Sequence, residues 1–533
     1  MTASAPPVHA TPRPERAPGA DGGRTVDALA GMLGGTAVGD RLEAAITGVT
    51  LDSRSVRPGD LYAALPGARV HGARFAADVA AAGAVAALTD PDGLAACRDA
   101  GLAVVVSQDP RGDLGRVSAW VYGDPASDLL VLGVTGTNGK TTTCYLLEAA
   151  LRHAGRATGL IGTVETRIGD RRVPSVRTTP ESPDLHALLA VMREEGVQAC
   201  AMEVSSHALA LHRIDAVRFD VVGFTNLSQD HLDFHPDLEH YFAAKASLFT
   251  SDRARAGVVC VDDRWGARLA AGSPVPVTTL RTPMAGPGGS GTGAASESDW
   301  EAVDLVPAAD GVGTDFALVH RDGDRLDLVS PLPGDFNVAN TALAALLLLT
   351  AGIEPGQLRA GLASGSDVPG RMQVVSSAGT GPLAVVDYAH SAEAVTAALQ
   401  ALRARTRGRL VVVLGAGGDR DAGKRPAMGA AAAQGADLVV VTDDNPRSED
   451  PAVIRAALVA GARGHGVEVL EVADRAEAVA VAVRRACDVG DTVLVAGKGH
   501  EQGQEVAGTV HPFDDREVLA AALRTDQRER STS

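Results

Sequence analysis

Cysteine is scarce in this chain, and the five that occur follow no metal-binding or disulfide spacing. They stand far apart, at Cys97, Cys144, Cys200, Cys260 and Cys487. A zinc knuckle needs close pairs such as Cys-x-x-Cys, and a disulfide framework needs an even, regularly spaced set. The spacing excludes both classes and predicts a protein of the reducing cytoplasm.

The sequence also lacks clustered positive charge and a long apolar run. With 49 basic and 66 acidic residues, the formal net charge is −17. Binding to nucleic-acid phosphates needs a basic face. The most apolar stretch, VANTALAALLLLTAGI, is shorter than the roughly 20 residues of a membrane helix, and the first two dozen residues have no apolar core of signal-peptide length. We predict binding to neither nucleic acid nor membrane, and a disordered tail at residues 1–24.

The length and the patterning predict several α/β domains. A chain of 533 residues exceeds one hydrophobic core. Apolar runs of strand length, polar loops and helical stretches alternate, which favours parallel sheets with ligands beyond the carboxyl ends of the strands. We predict three domains, at residues 25–127, 128–368 and 369–533. The Gly/Ser-rich stretch PMAGPGGSGTGAASES indicates a flexible insertion in the central domain.

Residues 133–143, GVTGTNGKTTT, resemble a phosphate-binding loop that lacks one glycine. Val134 stands where the full Walker A pattern begins with glycine. The remaining glycines still let backbone N–H groups approach phosphate oxygens at a helix N-terminus. Lys140 would then reach the terminal phosphates, and Thr141 would hold Mg²⁺. The alternative is a strand-to-helix turn that binds nothing.

Lys245 lies in the middle of an apolar helical stripe. The stripe consists of Leu238, Tyr241, Phe242, Leu248 and Phe249. Burial disfavours the ammonium form, so one reading is a neutral amine available for modification. The other reading is a lysine paired with a buried carboxylate such as Glu203. The spacing leaves both open.

Glu203 and His231 each follow a predicted strand, so both are candidates to hold a second cation beside Lys140. His231 and His235 also have the i, i+4 spacing of a zinc hydrolase. The stretch HLDFH, however, lacks the glutamate that follows the first histidine in H-E-x-x-H, and Pro236 interrupts the helix that the motif needs. We therefore do not predict a zinc site.

The third domain lacks the last glycine of a dinucleotide fingerprint, because Arg420 replaces it in GAGGDR. NAD is therefore not expected. Arg420 and Arg447 would each clamp a carboxylate, while Asp444 and Glu501 would hold ammonium groups. Together they predict a site for a zwitterionic small molecule. The alternative is that each is an exposed salt-bridge partner.

Nine motifs occur in an order that resembles the Mur ligases of peptidoglycan synthesis, from about residue 45 to 520. They are GTNGKTT, EVSSH, TNLSQDHLDFH, LPGDFNVAN, VPGRMQ, DYAHS, GGDRD, DDNPR and GKGHE. The resemblance implies a UDP-substrate-binding domain, a central P-loop ATPase domain and a C-terminal Rossmann-like domain. It also implies small-molecule substrates only, and we expect a monomer.

The resemblance implies four groups of site residues. ATP would bind Gly136, Thr137, Asn138, Gly139, Lys140, Thr141, Thr142, Asn337, Arg371 and Asp387. The UDP-muramoyl dipeptide would contact Leu51, Ser53, Thr178, Thr179, Ser205 and Arg213. Diaminopimelate would contact Arg420, Asp444, Asn445, Pro446, Arg447, Gly497 and Glu501. Magnesium would involve Thr141, Glu203, His231 and Lys245, the last carrying a CO₂-derived carbamate; Lys140, Glu203, His231 and Lys245 would be catalytic.

The implied reaction is ATP-dependent addition of 2,6-diaminopimelate to the D-glutamate side-chain carboxylate of UDP-N-acetylmuramoyl-L-Ala-D-Glu, through an acyl phosphate. The sequence DNPR resembles the form associated with diaminopimelate rather than lysine. Alternatives are a lysine-adding Mur ligase, a folylpolyglutamate synthetase of the same fold, and a nucleotide-binding scaffold without turnover.

Overall fold

The computed structural model describes residues 11–15, 23–67, 69–282, 298–309, 311–365, 367–375, 381–486 and 488–532. The Gly/Ser-rich stretch predicted as an insertion lies outside the described residues, apart from Ser298. Residues 11–15, which we expected to be disordered, are held in place. The Arg13 guanidinium donates to Asp60 at 2.5 Å, and both side chains are largely buried.

Contacts divide the described residues into two compact units. The first unit runs to Arg281 and includes Leu343–Gly361, and the second contains Glu301–Ala342 and the chain from Leu362 onward. The predicted boundaries at residues 127 and 368 stay predictions. Among the described residues, no helix is long and apolar enough to cross a membrane.

The first unit opens with a five-stranded sheet in the order β1-β5-β4-β3-β2, parallel except for β1. Its strands are β1 (Ala37–Val38), β2 (Gly48–Thr50), β3 (Asp60–Ala64), β4 (Ala86–Thr89) and β5 (Ala103–Val106). Its helices are α1 (Val26–Met32), α2 (Ala76–Ala81), α3 (Leu94–Asp99) and α4 (Pro110–Tyr122), with 3₁₀ turns at Gly72–Phe75 and Pro125–Asp128. Thr25 and Asp109 cap α1 and α4 by accepting backbone N–H groups.

A second sheet of the first unit carries the phosphate-loop candidate. Its strands are β6 (Leu130–Thr135), β7 (Thr158–Ile161), β8 (Glu165–Ile168), β9 (Arg171–Pro174), β10 (Ala199–Glu203), β11 (Phe219–Phe224), β12 (Ala254–Cys260) and β13 (Val277–Arg281). They follow the order β13-β12-β11-β6-β10-β7-β8-β9, parallel up to β7 and antiparallel beyond it. The accompanying helices are α5 (Lys140–His153), α6 (Ser182–Glu194), α7 (Ser206–Ala210), α8 (Leu238–Ala246) and α9 (Arg264–Gly272).

The strand register brings three polar loops to one edge of this sheet. Glu203 at the end of β10 pairs with Val134 of β6, and Phe224 at the end of β11 pairs with Thr135. Because the three strands are parallel, the loops that follow them start side by side. The prediction that polar loops gather beyond the carboxyl ends is thereby confirmed.

The second unit contains an antiparallel segment and a six-stranded sheet. The segment is formed by β14 (Trp300–Pro307), β15 (Thr314–His320) and β16 (Arg325–Ser330), followed by α10 (Asp335–Thr350) and α11 (Pro355–Ala363). The end of α10 and most of α11 lie in the stretch Leu343–Gly361, which belongs to the first unit. The sheet strands are β17 (Gln373–Val374), β18 (Leu383–Asp387), β19 (Leu410–Leu414), β20 (Leu438–Val441), β21 (Glu468–Glu471) and β22 (Thr492–Ala496), in the order β17-β18-β22-β19-β20-β21. A hairpin, β23 (Gly503–Val506) and β24 (Thr509–Pro512), follows. The helices are α12 (Ala392–Arg403), α13 (Lys424–Gly435), α14 (Pro451–Ala462), α15 (Arg475–Arg485) and α16 (Asp515–Thr532).

The six-stranded sheet is buried on both faces. Along β19, Val412 and Leu414 pack into one core with α12, α13 and α14, while Val411 and Val413 pack into another with α15 and α16. Burial on both faces explains why its strands are continuously apolar. Asp387, Leu414 and Ala496 end three parallel strands in register, which aligns their following loops at one edge.

A buried ion pair joins the last two helices of the second unit. Arg475 donates to both carboxylate oxygens of Asp515 at 2.7 Å, and neither side chain is exposed. Arg475 also donates to the carbonyl of Ala496 at 2.9 Å. The pair therefore ties α15 and α16 to the end of β22.

We expect Asp515→Asn to lower the free energy of unfolding by about 3–5 kcal/mol, because it leaves a buried guanidinium without its countercharge. Chemical denaturation of the full chain, followed by circular dichroism, measures the effect. Arg484→Met is the matched control, since it removes an arginine from an exposed ion pair with Glu477. An equal midpoint for Asp515→Asn and wild type would contradict the prediction.

Candidate functional site

The phosphate-loop candidate is a tight turn between β6 and α5. Gly136 and Gly139 have φ angles of 144° and 91°, a backbone conformation that residues with a side chain rarely adopt. In addition, a Cβ on Gly136 would collide with the Thr225 hydroxyl. Lys140 opens α5 and curls back over the loop, donating at 2.9 Å to the carbonyls of Gly136 and Thr137. The loop therefore has the geometry of a phosphate cradle.

The loop after β11 supports this turn from the side. Thr225 donates to the carbonyl of Asn138 at 2.6 Å, and the Asn138 N–H donates to the Asn226 side chain at 3.1 Å. Thr225 and Asn226 open the TNLSQDHLDFH motif but were not predicted as site residues. The motif gave their position after a strand and did not indicate that they contact the phosphate-loop candidate.

Thr141 and Glu203 form the core of a candidate cation site. The Thr141 hydroxyl donates to Glu203 Oε2 at 3.1 Å, and both side chains are buried. Thr163, which the sequence analysis missed, donates its N–H and hydroxyl to the same carboxylate at 2.8 and 3.0 Å. Hydroxyl and carboxylate oxygens beside a phosphate loop suit Mg²⁺, which keeps several waters and takes few protein ligands. Among the described residues, no three His, Cys, Asp or Glu side chains converge as in a protein-only metal cage.

Lys245 is buried in α8, as the apolar stripe predicted. It is 1% exposed, and its ammonium donates to the Gly136 carbonyl at 2.7 Å and lies 4.5 Å from the Tyr241 ring centre. Burial, reinforced by the Lys140 charge, holds the pKa of Lys245 well below its ordinary value. The hydrogen bond to a carbonyl favours the neutral-amine reading over the pairing with Glu203.

His231 lies in the loop before α8 with a left-handed backbone. Its φ is 54°, and its ring packs edge-on against His207 at 4.9 Å and Tyr241 at 6.0 Å. Burial lowers its pKa, and the positive charge of Lys140 lowers it further, while Asp230 opposes the shift. A neutral imidazole is the form that binds metals. His207, which lies in the EVSSH motif but was not predicted as a site residue, thus packs against a predicted metal ligand.

Three residues predicted to bind the muramoyl dipeptide are connected to Glu203. The Thr179 hydroxyl donates to the Glu203 carbonyl at 2.8 Å and accepts the Ser205 N–H at 3.1 Å. The hydroxyls of Thr178 and Thr163 are 2.9 Å apart. Arg213 forms an ion pair with Glu181 at 2.9 Å. Leu51 and Ser53, predicted to contact UDP, follow β2 in the other sheet of the first unit.

Three further residues predicted to bind ATP belong to the second unit. Asn337 is buried and donates to the Pro333 carbonyl at 2.8 Å. Asp387 accepts two backbone N–H groups, and burial raises its pKa even though Arg371 opposes the shift. The Arg371 guanidinium lies 4.4 Å from the centre of the Tyr388 ring. Their joint action with the phosphate loop stays a prediction.

The amino-acid site candidates do meet in the second unit. Asn445 donates to Glu501 at 2.7 Å, and Lys498, which the sequence analysis missed, donates to Asn445 at 2.9 Å. Asp444 lies 3.9 Å from the Lys498 ammonium. Burial raises the pKa of Glu501, with Asp444 adding to the shift and Lys498 opposing it. Gly497 has a φ of 115°, and a Cβ there would press on the Asp444 carboxylate.

Arg447 is linked to this cluster through Glu505, whose N–H donates to Asn445 Oδ1 at 3.0 Å. Arg447 has a φ of 54°, donates to the Gly418 carbonyl at 2.7 Å and lies 3.5 Å from Glu505 of the hairpin. Pro446 precedes it in the same loop, and Arg420 is exposed in the loop after β19. This unit therefore presents carboxylates and guanidinium groups together, as a zwitterionic ligand requires.

Three family models match the chain in order. They are "Mur ligase family, catalytic domain" at residues 45–115, "Mur ligase middle domain" at 134–348, and "Mur ligase, glutamate ligase domain" at 370–499. The three-domain α/β architecture expected from the motifs agrees with these matches.

Similar proteins cover nearly the whole chain. UDP-N-acetylmuramoyl-L-alanyl-D-glutamate–2,6-diaminopimelate ligase of Streptomyces coelicolor is 53% identical over 94% of this chain and 96% of its own length. UDP-N-acetylmuramyl-tripeptide synthetase of Leifsonia xyli subsp. xyli is 46% identical over 94% of this chain and 96% of its own length. A solved structure of a UDP-N-acetylmuramoyl-L-alanyl-D-glutamate–2,6-diaminopimelate ligase matches with a TM-score of 0.65 at 31% identity, covering 91% of this chain and 96% of that one. The chain belongs to the Mur ligase family.

Proposed function

We propose that this enzyme adds 2,6-diaminopimelate to the side-chain carboxylate of D-glutamate in UDP-N-acetylmuramoyl-L-Ala-D-Glu, using ATP. The observation that supports it most strongly is the convergence of Asp444, Asn445 and Glu501 around Lys498 in the second unit. Arg447 is linked to this cluster through Glu505. Relatives named for this reaction, up to 53% identical, support the proposal.

The phosphate loop would hold ATP while its γ-phosphoryl group passes to the glutamate carboxylate, giving an acyl phosphate and ADP. Lys140 already lies over the loop, where its ammonium can offset charge that develops on the phosphoryl oxygens. The amine of diaminopimelate then attacks the acyl carbon, and phosphate leaves as the C–N bond forms. No covalent enzyme intermediate is needed.

Thr141 and Glu203 would hold one Mg²⁺, and His231 with a carbamylated Lys245 would serve a second. The cation supplies charge stabilisation for the transferring phosphoryl group. Carbamylation requires a neutral amine, which attacks CO₂ and loses a proton to give an anionic carbamate. The lowered pKa of buried Lys245 favours that neutral amine.

Diaminopimelate differs from lysine by a second carboxylate on the far carbon. A guanidinium that binds this carboxylate would lose its partner if lysine were bound, which leaves a charged donor desolvated. Arg447 is the residue we assign to it. The tripeptide synthetase name of the Leifsonia relative specifies no amino acid, so a lysine-adding enzyme is the second candidate. A folylpolyglutamate synthetase and a scaffold without turnover are the remaining alternatives.

The substrates proposed are small molecules, and we infer action as a monomer in the cytoplasm, where ATP and nucleotide-linked precursors are present.

The proposal predicts that phosphate release from ATP, with UDP-muramoyl-Ala-Glu present, depends on diaminopimelate. Parallel reactions with lysine or no amino acid serve as controls, and mass spectrometry identifies the UDP-tripeptide. Equal rates with lysine would refute the two-carboxylate assignment. Absence of release with every amino acid would favour the scaffold.

Arg447→Met should reduce kcat/KM for diaminopimelate by about 100-fold, because it removes charge-assisted hydrogen bonds to the far carboxylate. Any rate with lysine should not fall, since lysine has no such carboxylate. Competition between the two amino acids, quantified by product mass, measures the discrimination. An equal loss for both would contradict the assigned contact.

The carbamate on Lys245 predicts a new ¹³C NMR resonance when the enzyme is incubated with ¹³C-labelled bicarbonate. Lys245→Arg should remove that resonance, because a guanidinium stays protonated and does not capture CO₂. Lys424→Arg is the matched control, since Lys424 is less buried and opens α13. A resonance that persists in Lys245→Arg would place the carbamate elsewhere.

A further inference from the structure

Lysine is rare in this chain, and one buried lysine, Lys498, was given no role in the proposed reaction. Only four of the 49 basic residues are lysines: Lys140, Lys245, Lys424 and Lys498. Lys498 is fully buried, with 0% of its surface exposed. An ammonium is a compact charge on a flexible stem, whereas a guanidinium is a broad planar fork. An arginine-rich chain with a buried lysine indicates a position that accommodates only the compact group.

The Lys498 ammonium faces three residues of the amino-acid site. Its Nζ lies 2.9 Å from Asn445 Oδ1, 3.3 Å from Glu501 Oε2 and 3.9 Å from Asp444 Oδ1. It also sets the orientation of the Asn445 amide. Because Lys498 and the Glu505 N–H both donate to Oδ1, the Asn445 Nδ2 is directed at Glu501.

The charged side chains around Lys498 carry a net charge of one negative unit. Asp515 neutralises Arg475, which lies 4.0 Å from Asp444. Lys498 then neutralises one of the two carboxylates of Asp444 and Glu501. The remaining single negative charge matches one ammonium group of an incoming amino acid. Without Lys498, the carboxylates of buried Asp444 and partly buried Glu501 would repel each other, and the pair would favour taking up a proton over binding an ammonium.

We propose that Lys498 is a positioning residue for the amino-acid substrate, holding Asp444, Asn445 and Glu501 in the arrangement that receives one substrate ammonium. This inference rests on the proposed function. Lys498 does not touch the substrate. It sets the charge and orientation of the groups that do, and so governs affinity for the amino acid and not for ATP.

Lys498→Met tests the inference, because methionine keeps a similar length and loses the charge. We expect KM for diaminopimelate to rise about tenfold or more, as for loss of a charged hydrogen bond, while KM for ATP and for the UDP-dipeptide stays within about twofold. Arg484→Met, which removes an exposed cation of the same unit, is the control and should leave all three values unchanged. Circular dichroism establishes folding, and Lys498→Gln is measured identically if Lys498→Met does not fold.

A pH series separates positioning from a purely structural role. Burial and the charge of Asp444 raise the pKa of Glu501, while Lys498 lowers this pKa. Arg475 and Tyr388 also interact electrostatically with Glu501. Removing Lys498 raises that pKa further, so a larger fraction of Glu501 is protonated in the variant, and this fraction falls as pH rises. The ratio of the KM for diaminopimelate in Lys498→Met to that in wild type should therefore fall as pH rises.

The possible results distinguish the positioning role of Lys498 from the proposed function of the enzyme. Wild type that turns over diaminopimelate, together with a Lys498→Met KM unchanged for that amino acid, would overturn the positioning role alone. A ratio that stays constant with pH, or equal rises in all three KM values, would also overturn it. Wild type inactive with every amino acid would overturn both the role and the proposed function.

Discussion

Parallel strand pairing in register is the constraint on which both candidate sites depend. In the first unit, β10, β6 and β11 end together, so the loops with Glu203, Gly136 and Thr225 start at one edge. In the second unit, β18, β22 and β19 end together and align the loops after Asp387, Ala496 and Leu414. A shift of one residue would turn each following side chain to the other face of its sheet. Polar groups far apart in the chain meet because the apolar strands beneath them cannot slip.

The two units treat a buried lysine in opposite ways. Lys245 faces a carbonyl and an aromatic ring, which cannot neutralise a full charge, so its amine tends to lose the proton. Lys498 instead lies beside carboxylates and an amide oxygen. The surroundings of the first lysine thus disfavour its charge, whereas those of the second supply negative partners.

Local features of the sites could be predicted from the sequence, and long-range partners could not. Gly136, Lys140 and Thr141 form a continuous pattern whose spacing has a mechanical reason, and the buried position of Lys245 followed from helical periodicity. Thr163 gave no such signal, since a threonine after a strand is common. Asn226 lies in the TNLSQDHLDFH motif, but the motif does not reveal its contact with Asn138.

Asn445 lies 53 residues from its partner Lys498 along the chain, and Asp515 lies 40 residues from Arg475. Which carboxylate or amide meets which cation depends on strand order, which hydrophobic patterning does not specify. Residues 11–15 illustrate the same limit. Their composition suggested disorder, yet the Arg13 contact with Asp60 joins positions 47 residues apart.

The hydroxyl of Thr163 carries a single proton, and this restricts what its neighbour can bind. That proton goes to the Glu203 carboxylate, which can only accept, so the 2.9 Å contact with Thr178 is made by the proton of Thr178. Donor direction therefore runs one way, from Thr178 through Thr163 to Glu203. The Thr178 hydroxyl can therefore only accept a hydrogen bond from a ligand. A ligand at that point must present an N–H or O–H, so Thr178 suits a peptide amide or a sugar hydroxyl and disfavours a carboxylate.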